Sequence, residues 1–167
     1  MLWHYTTVDA LKQIVTSGAI RTNEIVVIPG QKQAVWFTLS STWEETANVS
    51  YGCLGQVTDL DRQGTFEHFG LARIGVAAET APHTWQDYKR LGGVKGDYAQ
   101  QLYNVGVARG SRIRNWRVSF ADVPQSQWLV IEVWDGEHWH EIGDLALIES
   151  LPIEGRKLKA VIAEASA

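Results

Sequence analysis

The sequence predicts an α+β fold in which twisted, largely antiparallel sheets pack against short helices. Runs rich in β-branched and aromatic residues indicate strands, and apolar residues at helical spacing between capping and glycine signals indicate helices. The pair Asp135-Gly136 is typical of a hairpin turn, whose flanking strands pair antiparallel. A chain of 167 residues can bury a core of its own, and we expect one domain over residues 1–167.

The first two elements follow from local patterns. Residues 2–5 have the composition of a short strand. Thr6 and Asp9 then have the spacing of a capping box, with Thr6 as the cap of a helix over 8–17. Gly18 is expected to end this helix in the left-handed conformation, because glycine adopts it without steric cost.

The remaining strands share apolar and aromatic residues and are bounded by turn signals such as Pro29-Gly30. They are predicted over 24–28, 34–39, 70–77, 116–120, 128–134 and 137–142. Helical spacing and capping residues predict helices over 42–49, 85–91 and 97–108. Residues 52–64 indicate a loop, and 158–163 a last strand or helix. The nearly continuous apolar run over 128–134 is typical of a central strand.

Composition excludes several classes of protein. The single cysteine, Cys53, excludes an intramolecular disulfide framework and a cysteine-rich zinc site. His138 and His140 share one face of a strand but have no third ligand nearby in sequence, so we predict no metal site. No apolar run has the length of a membrane span, and the N-terminus has neither the basic nor the apolar region of a signal peptide. We therefore expect a cytoplasmic protein without membrane partners.

Charge is distributed unevenly along the chain, although the net charge is only −4. Residues 89–117 contain seven Lys or Arg residues against one acid, Asp97, and residues 132–154 contain seven acids and no Lys or Arg. A basic middle segment suits an anionic substrate or phosphate groups. Alternatively, the two segments are solvated surfaces of opposite sign that partly pair with each other.

The first forty residues combine a histidine on a first strand, a helix that ends at Ser17-Gly18, and the aromatic strand Trp36-Phe37-Thr38-Leu39-Ser40. This combination resembles the NAD-binding half of ADP-ribosyltransferase-like proteins, nearest the bacterial toxin branch that modifies nucleic acid. The resemblance covers about the first quarter of the chain. It implies NAD as substrate, cleavage of the nicotinamide glycosidic bond, and transfer of ADP-ribose to a nucleic-acid or protein acceptor. Toxin, phage-defence or counter-defence roles, and a cognate inhibitor protein as partner, follow from it alone.

The resemblance implies binding residues on the first strand. His4 has the position of the residue that hydrogen-bonds the ribose on the nicotinamide side, and a neutral imidazole offers one donor and one acceptor. The alternative is a histidine satisfied by a neighbour at the end of a strand. Thr6 lies on the same strand face and can reach the same ligand, unless it caps the helix.

The aromatic strand should contribute the wall of the nicotinamide pocket. Trp36 and Phe37 point to opposite faces of a strand, so one is expected to stack on the cationic pyridinium and the other to join the core. Ser40 would hold the carboxamide or shape the pocket. Tyr51 would bring a second aromatic onto the ring, as in poly-ADP-ribose polymerases, or be a core residue.

The resemblance also implies a catalytic acid on a late strand, which stabilises the oxocarbenium as the glycosidic bond breaks. Glu132 is our prediction, because a carboxylate in so apolar a strand is costly to bury unless it is paired or used. Glu137 and Glu141 are substitutes on the partner strand. Arg73, an isolated charge in an apolar strand, suits pyrophosphate or an attacking base. The alternatives are an outward-facing or ion-paired Glu132 and a structural salt bridge for Arg73.

Two other classes of protein remain open. One is a binding module that keeps the fold without catalysis, since the chain has no clear Tyr-x-Glu or Glu-x-Glu signature. The other is an interaction protein whose eight tryptophans form an exposed contact patch. An enzyme predicts that His4, Trp36 or Phe37, Tyr51 and Glu132 converge on one pocket.

Overall fold

The computed structural model describes residues 1–22, 29–53 and 56–165. Its strands are β1 (Leu2–Thr7), β2 (Ala19–Ile20), β3 (Val35–Thr38), β4 (Ser50–Cys53), β5 (Gln56–Asp59), β6 (Leu71–Val76), β7 (His83–Thr84), β8 (Trp116–Ser119), β9 (Val123–Pro124), β10 (Trp128–Trp134) and β11 (Trp139–Glu141). Its α-helices are α1 (Val8–Ser17), α2 (Arg62–Phe69), α3 (Trp85–Leu91), α4 (Gly96–Ala108), α5 (Leu145–Ser150) and α6 (Gly155–Ala165). The predicted strand over 24–28 lies outside the described residues.

Seven of these strands form one sheet in the order β11-β10-β6-β1-β3-β8-β7, and all neighbours in it are antiparallel. Two small antiparallel pairs, β2 with β9 and β4 with β5, complete the strands. The predicted α+β class with a largely antiparallel sheet is confirmed. None of the described helices is long and apolar enough to cross a membrane.

The strand β6, whose six residues are all buried, lies between β10 and the central strand β1. The apolar run over 128–134 forms the strand β10, as predicted, in which Ile131 and Val133 are buried and Leu129 is 59% exposed. Trp128, Val130 and Trp134 also pack against the larger core. β10 lies between β6 and β11, one strand from the edge of the sheet.

The first helix spans Val8–Ser17, as predicted, but its cap is Thr7 rather than Thr6. The hydroxyl of Thr7 accepts a hydrogen bond from the amide of Ala10 at 3.3 Å. Thr7 directly precedes the first helical residue and lies three residues before Ala10, which is the spacing of a capping bond, whereas Thr6 is one residue too early. The left-handed end at Gly18 is confirmed, with φ of 71°.

The prediction of a loop over 52–64 is wrong. It contains most of the β4–β5 hairpin and the start of α2, which Asp61 caps by accepting from the amide of Gly64 at 2.8 Å. These elements lack a strong apolar period, since α2 buries only Thr65 and Phe66. The predicted helix over 42–49 is reduced to one 3₁₀ turn, Glu45–Ala47. The segment over 158–163 belongs to a helix, α6.

The buried apolar side chains form two clusters. The larger lies around β1, β6 and α1 and includes Phe37. The smaller is aromatic, with Trp85, Tyr88 and Trp116 buried and Trp36 packed against them. Phe37 and Trp36 are neighbours on β3, so this strand joins the two clusters.

Candidate functional site

The sheet opens between the neighbouring strands β1 and β3. They share the single register pair Trp3↔Thr38, whereas β1 and β6 pair along six residues. Beyond that pair, the imidazole Nδ1 of His4 hydrogen-bonds the main-chain carbonyl of Trp36 at 2.9 Å. A side chain thus takes the place of a backbone ladder bond, and the two strands separate around it.

A cavity of about 380 Å³ lies at this opening. Its walls come from β1, β3, the turn that follows β3, helix α4 and strand β8. They are mostly aromatic and aliphatic: Trp3, His4, Tyr5, Trp36, Phe37, Thr38, Glu44, Thr46, Ala47, Leu102, Val105, Arg109 and Trp116. The volume is typical of a small-molecule site, in which a few polar groups orient a ligand against apolar walls (range about 300–1,000 Å³).

His4 lines this cavity with a neutral ring. A carbonyl can only accept, so Nδ1 carries the proton and Nε2 of the neutral imidazole is left as an acceptor. Burial lowers the pKa of His4 below its ordinary value of 6.5, and the hydrogen bond to Trp36 offsets part of this effect. No described residue hydrogen-bonds Nε2, which is therefore free to accept from a ligand.

Both predicted aromatic residues line the cavity. Trp36 has its ring centroid 4.6 Å from that of Tyr88 and 5.7 Å from that of Trp116, in edge-to-face contacts. Phe37 is 3% exposed, and its ring centroid is 5.7 Å from that of His4. Phe37 belongs to the larger core cluster, as expected for one of the two, and the cavity at the edge of β3 is lined by both residues.

The carboxylate in the cavity wall is Glu44, which the sequence interpretation missed. Its side chain is 8% exposed and accepts from the hydroxyl groups of Thr38 at 3.0 Å and Thr46 at 2.9 Å. The indole Nε1 of Trp116 donates at 3.2 Å, and the hydroxyl of Ser111 donates as well. None of the described ion pairs includes Glu44.

Arg109 lies at the C-terminal end of α4 and is the cation that lines the cavity. It pairs with Asp59 at 3.2 Å, where the two side chains are 28% and 65% exposed. A hydrogen bond from Ser50 and, next, the charge of Arg109 lower the pKa of Asp59. An exposed pair of this kind is weak, so Arg109 can exchange Asp59 for an anionic ligand group.

The two predicted catalytic residues pair with each other outside the cavity wall. Glu132 lies opposite Arg73 in the β10–β6 register, and Arg73 Nε donates to Glu132 Oε2. Arg73 Nη1 also donates to the carbonyl of Ser41, and the guanidinium lies over the rings of Trp3 at 3.8 Å and Trp139 at 4.2 Å. The structural alternatives, an ion-paired Glu132 and a salt-bridged Arg73, therefore describe this pair.

The other predicted binding residues do not line the cavity. The side chain of Thr6 is absent from its walls. Ser40 hydroxyl donates to the carbonyl of Trp43 at 2.7 Å, and its own carbonyl accepts from Tyr5 at 2.9 Å, so it holds the turn after β3. Tyr51 has its backbone in β4, opposite Thr58, and its side chain lies outside the described part of the chain.

Five of the seven cations in the basic segment 89–117 are in none of the described ion pairs. The described ion pairs of residues 89–117 go to Asp87 and Asp59, and none goes to the acidic residues 132–154. The expectation that the two segments pair with each other is therefore not met among the described residues. Arg112 and Arg114 are exposed, and they lie between Ser111 and Trp116, which both contact Glu44.

The tryptophans do not form an exposed contact patch. Trp3, Trp43, Trp85 and Trp116 are buried, and the other four are half-buried. The exposed tryptophans expected of an interaction protein are not found.

Acidification is expected to destabilise the fold through His4. The pKa of His4 is lowered in the folded protein but has its ordinary value of 6.5 in the unfolded chain. Below pH 6.5 the unfolded chain therefore binds more protons than the folded protein does. The free energy of unfolding should therefore fall as the pH falls from 6.5 to about 5, above the range in which carboxylates titrate. Urea unfolding of the wild type and of His4→Asn at several pH values isolates this effect, since asparagine keeps a donor for the Trp36 carbonyl but does not titrate. Equal pH profiles would contradict the assignment of His4 as a neutral buried ring.

Comparisons with protein-family models, with curated proteins and with solved structures find no match to this chain.

Proposed function

We propose that this protein is an NAD-dependent ADP-ribosyltransferase, which cleaves the nicotinamide glycosidic bond and passes ADP-ribose to a macromolecular acceptor. The observation that carries the proposal is a buried carboxylate, Glu44, which is in none of the described ion pairs and lies in the wall of an aromatic cavity. A cytoplasmic site of action, and the toxin or phage-conflict role implied by the resemblance of the first forty residues, belong to the same proposal.

The walls favour a flat cation. Trp36, Phe37 and Trp116 supply aromatic rings, whose faces are electron-rich, and Glu44 supplies a negative charge. The polar atom that His4 leaves free is an acceptor. The pyridinium of NAD is flat and positively charged, so that it gains both dispersion and cation–π attraction in such a site.

The volume of the cavity suits the nicotinamide and its ribose, and the rest of the dinucleotide would extend past its mouth. Arg109 supports this orientation, because it is a half-buried cation that an exposed acid, Asp59, holds only weakly. A guanidinium matches the geometry of phosphate oxygens. We therefore propose that the pyrophosphate displaces Asp59 from Arg109.

Nucleic acid is the acceptor class that we favour. Arg112 and Arg114 are exposed, are in none of the described ion pairs and are close in sequence to residues of the cavity wall. Phosphate groups on a strand of nucleic acid would be drawn to this segment. A protein side chain is the other acceptor, and the mass gained by an added oligonucleotide or protein identifies which is modified.

Calorimetric titration with NAD tests the proposal directly. Wild-type protein should bind NAD and release free nicotinamide on incubation. His4→Asn should fold normally but bind NAD about 2- to 12-fold more weakly, because it keeps the Trp36 bond and loses the Nε2 acceptor. His4→Ala removes both contacts and should bind less still.

The outcomes separate the remaining classes of protein. Binding without nicotinamide release would identify a catalytically inactive module of the same kind. Absence of any heat with NAD, in a protein shown by circular dichroism to be folded, would overturn the proposal.

A further inference from the structure

The two carboxylate oxygens of Glu44 have unequal environments. Oε1 accepts from four donors: the amide and hydroxyl of Thr46, the hydroxyl of Ser111 and the indole of Trp116. Among the described residues, the hydroxyl of Thr38 is the one donor to Oε2, at 3.0 Å. Oε1 is therefore held in place by its four donors, whereas Oε2 can accept a further hydrogen bond, since a carboxylate oxygen has two lone pairs.

Both oxygens of Glu44 face hydrogen-bond donors. The hydroxyl of Thr38 accepts from the amide of Ser40 at 3.1 Å and donates to Glu44 Oε2 at 3.0 Å. Together with the four donors at Oε1, five described donor groups surround the carboxylate.

We propose that Glu44 is the catalytic carboxylate of the cavity and that its Oε2 contacts the substrate; this rests on the proposed function. Glu44 lines the cavity, where the reacting ribose would lie. The position differs from the late strand implied by the resemblance, since Glu44 directly precedes the 3₁₀ turn after β3. Glu132 is unsuited to the role because its Oε2 is taken by Arg73 and it is absent from the cavity wall.

The reaction balances with these groups alone. The bond between ribose C1′ and the pyridinium nitrogen breaks, and its electron pair neutralises the ring, which leaves as nicotinamide. The positive charge that develops on the ribose is stabilised by Glu44. A lone pair of the acceptor, or of water, then forms the new bond to C1′. The proton that the acceptor loses passes to Glu44 Oε2 and from there to solvent.

Glu44→Gln is the sharpest test, because its amide has a foreseeable orientation. The four donors at Oε1 require the amide oxygen there, so the NH₂ group takes the place of Oε2 and presents a donor to the substrate. With water as acceptor, kcat for nicotinamide release should fall by about 10²- to 10⁴-fold. The Kd for NAD should rise much less than kcat falls.

Glu132→Gln is the matched control, since it makes the same chemical change outside the cavity and should keep kcat near the wild-type value. Should Glu44→Gln fail to fold, Glu44→Asp takes its place: it keeps the charge but withdraws the carboxylate from the cavity, and kcat should again fall. Nicotinamide release by Glu44→Gln or Glu44→Asp at the wild-type rate would overturn the inference, as would loss of release confined to a folded Glu132→Gln. A wild-type protein that neither binds NAD nor releases nicotinamide would instead overturn the proposed function.

Discussion

Replacing Arg73 by alanine is expected to lower the free energy of unfolding by about 3–5 kcal/mol, the usual cost of breaking one buried ion pair. Arg73 and Glu132 are 7% and 18% exposed, so the carboxylate left behind would be a buried charge without a partner. The substitution also removes the guanidinium from between the rings of Trp3 and Trp139. Urea unfolding followed by tryptophan fluorescence measures the change.

A double substitution separates the cost of leaving one buried charge unpaired from the net contribution of the ion pair to stability. Arg73→Met combined with Glu132→Leu removes both charges, and most of the lost stability should return, since apolar side chains often replace a buried pair without loss. Lys157→Ala is the control, because its pair with Glu154 is exposed and should matter little. A double variant no more stable than Arg73→Ala would contradict the explanation by an unpaired charge.

Replacing Trp36 by alanine is expected to weaken NAD binding by about tenfold or more, since a desolvated cation–π contact alone contributes about 2 kcal/mol. Trp36 is held at the cavity by aromatic contacts with Tyr88 and Trp116, so its ring is fixed before a ligand arrives. A preorganised wall loses little side-chain entropy on binding. Calorimetric titration with NAD, run beside the wild type, gives the change in Kd.

Two controls distinguish a lost ring from a disturbed fold. Trp36→Phe keeps an aromatic face and should retain most of the affinity. Trp128→Phe changes a tryptophan that hydrogen-bonds the carbonyl of Val123 at 3.2 Å and lies outside the cavity, so it should leave the affinity unchanged. Unaltered NAD binding by Trp36→Ala would exclude this residue from the pocket.

Much of the fold follows from neighbours in sequence. The class, the end of α1 at Gly18 and the antiparallel return of the chain after Asp135-Gly136 depend on periodicity, backbone freedom and turn chemistry, all of which act within a few residues. The β4–β5 hairpin and α2 escaped prediction because they bury few side chains and so leave a weak apolar period. The cap of α1 is Thr7 rather than the predicted Thr6, because the helix begins at Val8 and the capping residue directly precedes it.

The candidate site was only partly predictable for the same reason. His4, Trp36 and Phe37 were chosen from the pattern of the first forty residues, and the fold brings all three to one cavity. Glu44 was missed because the capping pattern of Thr42 and Glu45 predicted a helix there. The only local signal of a carboxylate site was an acid two residues before a threonine, shortly after an aromatic strand.

The sequence alone determined the fold class, the longer strands and the helices α1, α3 and α4, and that aromatic side chains and a histidine lie early in the chain. Only the tertiary structure decided which carboxylate serves the cavity. Glu132 and Glu44 are the same chemical group, and their surroundings separate them: Arg73, 59 residues away, pairs with the first, whereas Ser111 and Trp116, 67 and 72 residues away, hydrogen-bond the second. A charge is neutralised or left available by groups that only folding brings within hydrogen-bonding distance, and no local pattern encodes that choice.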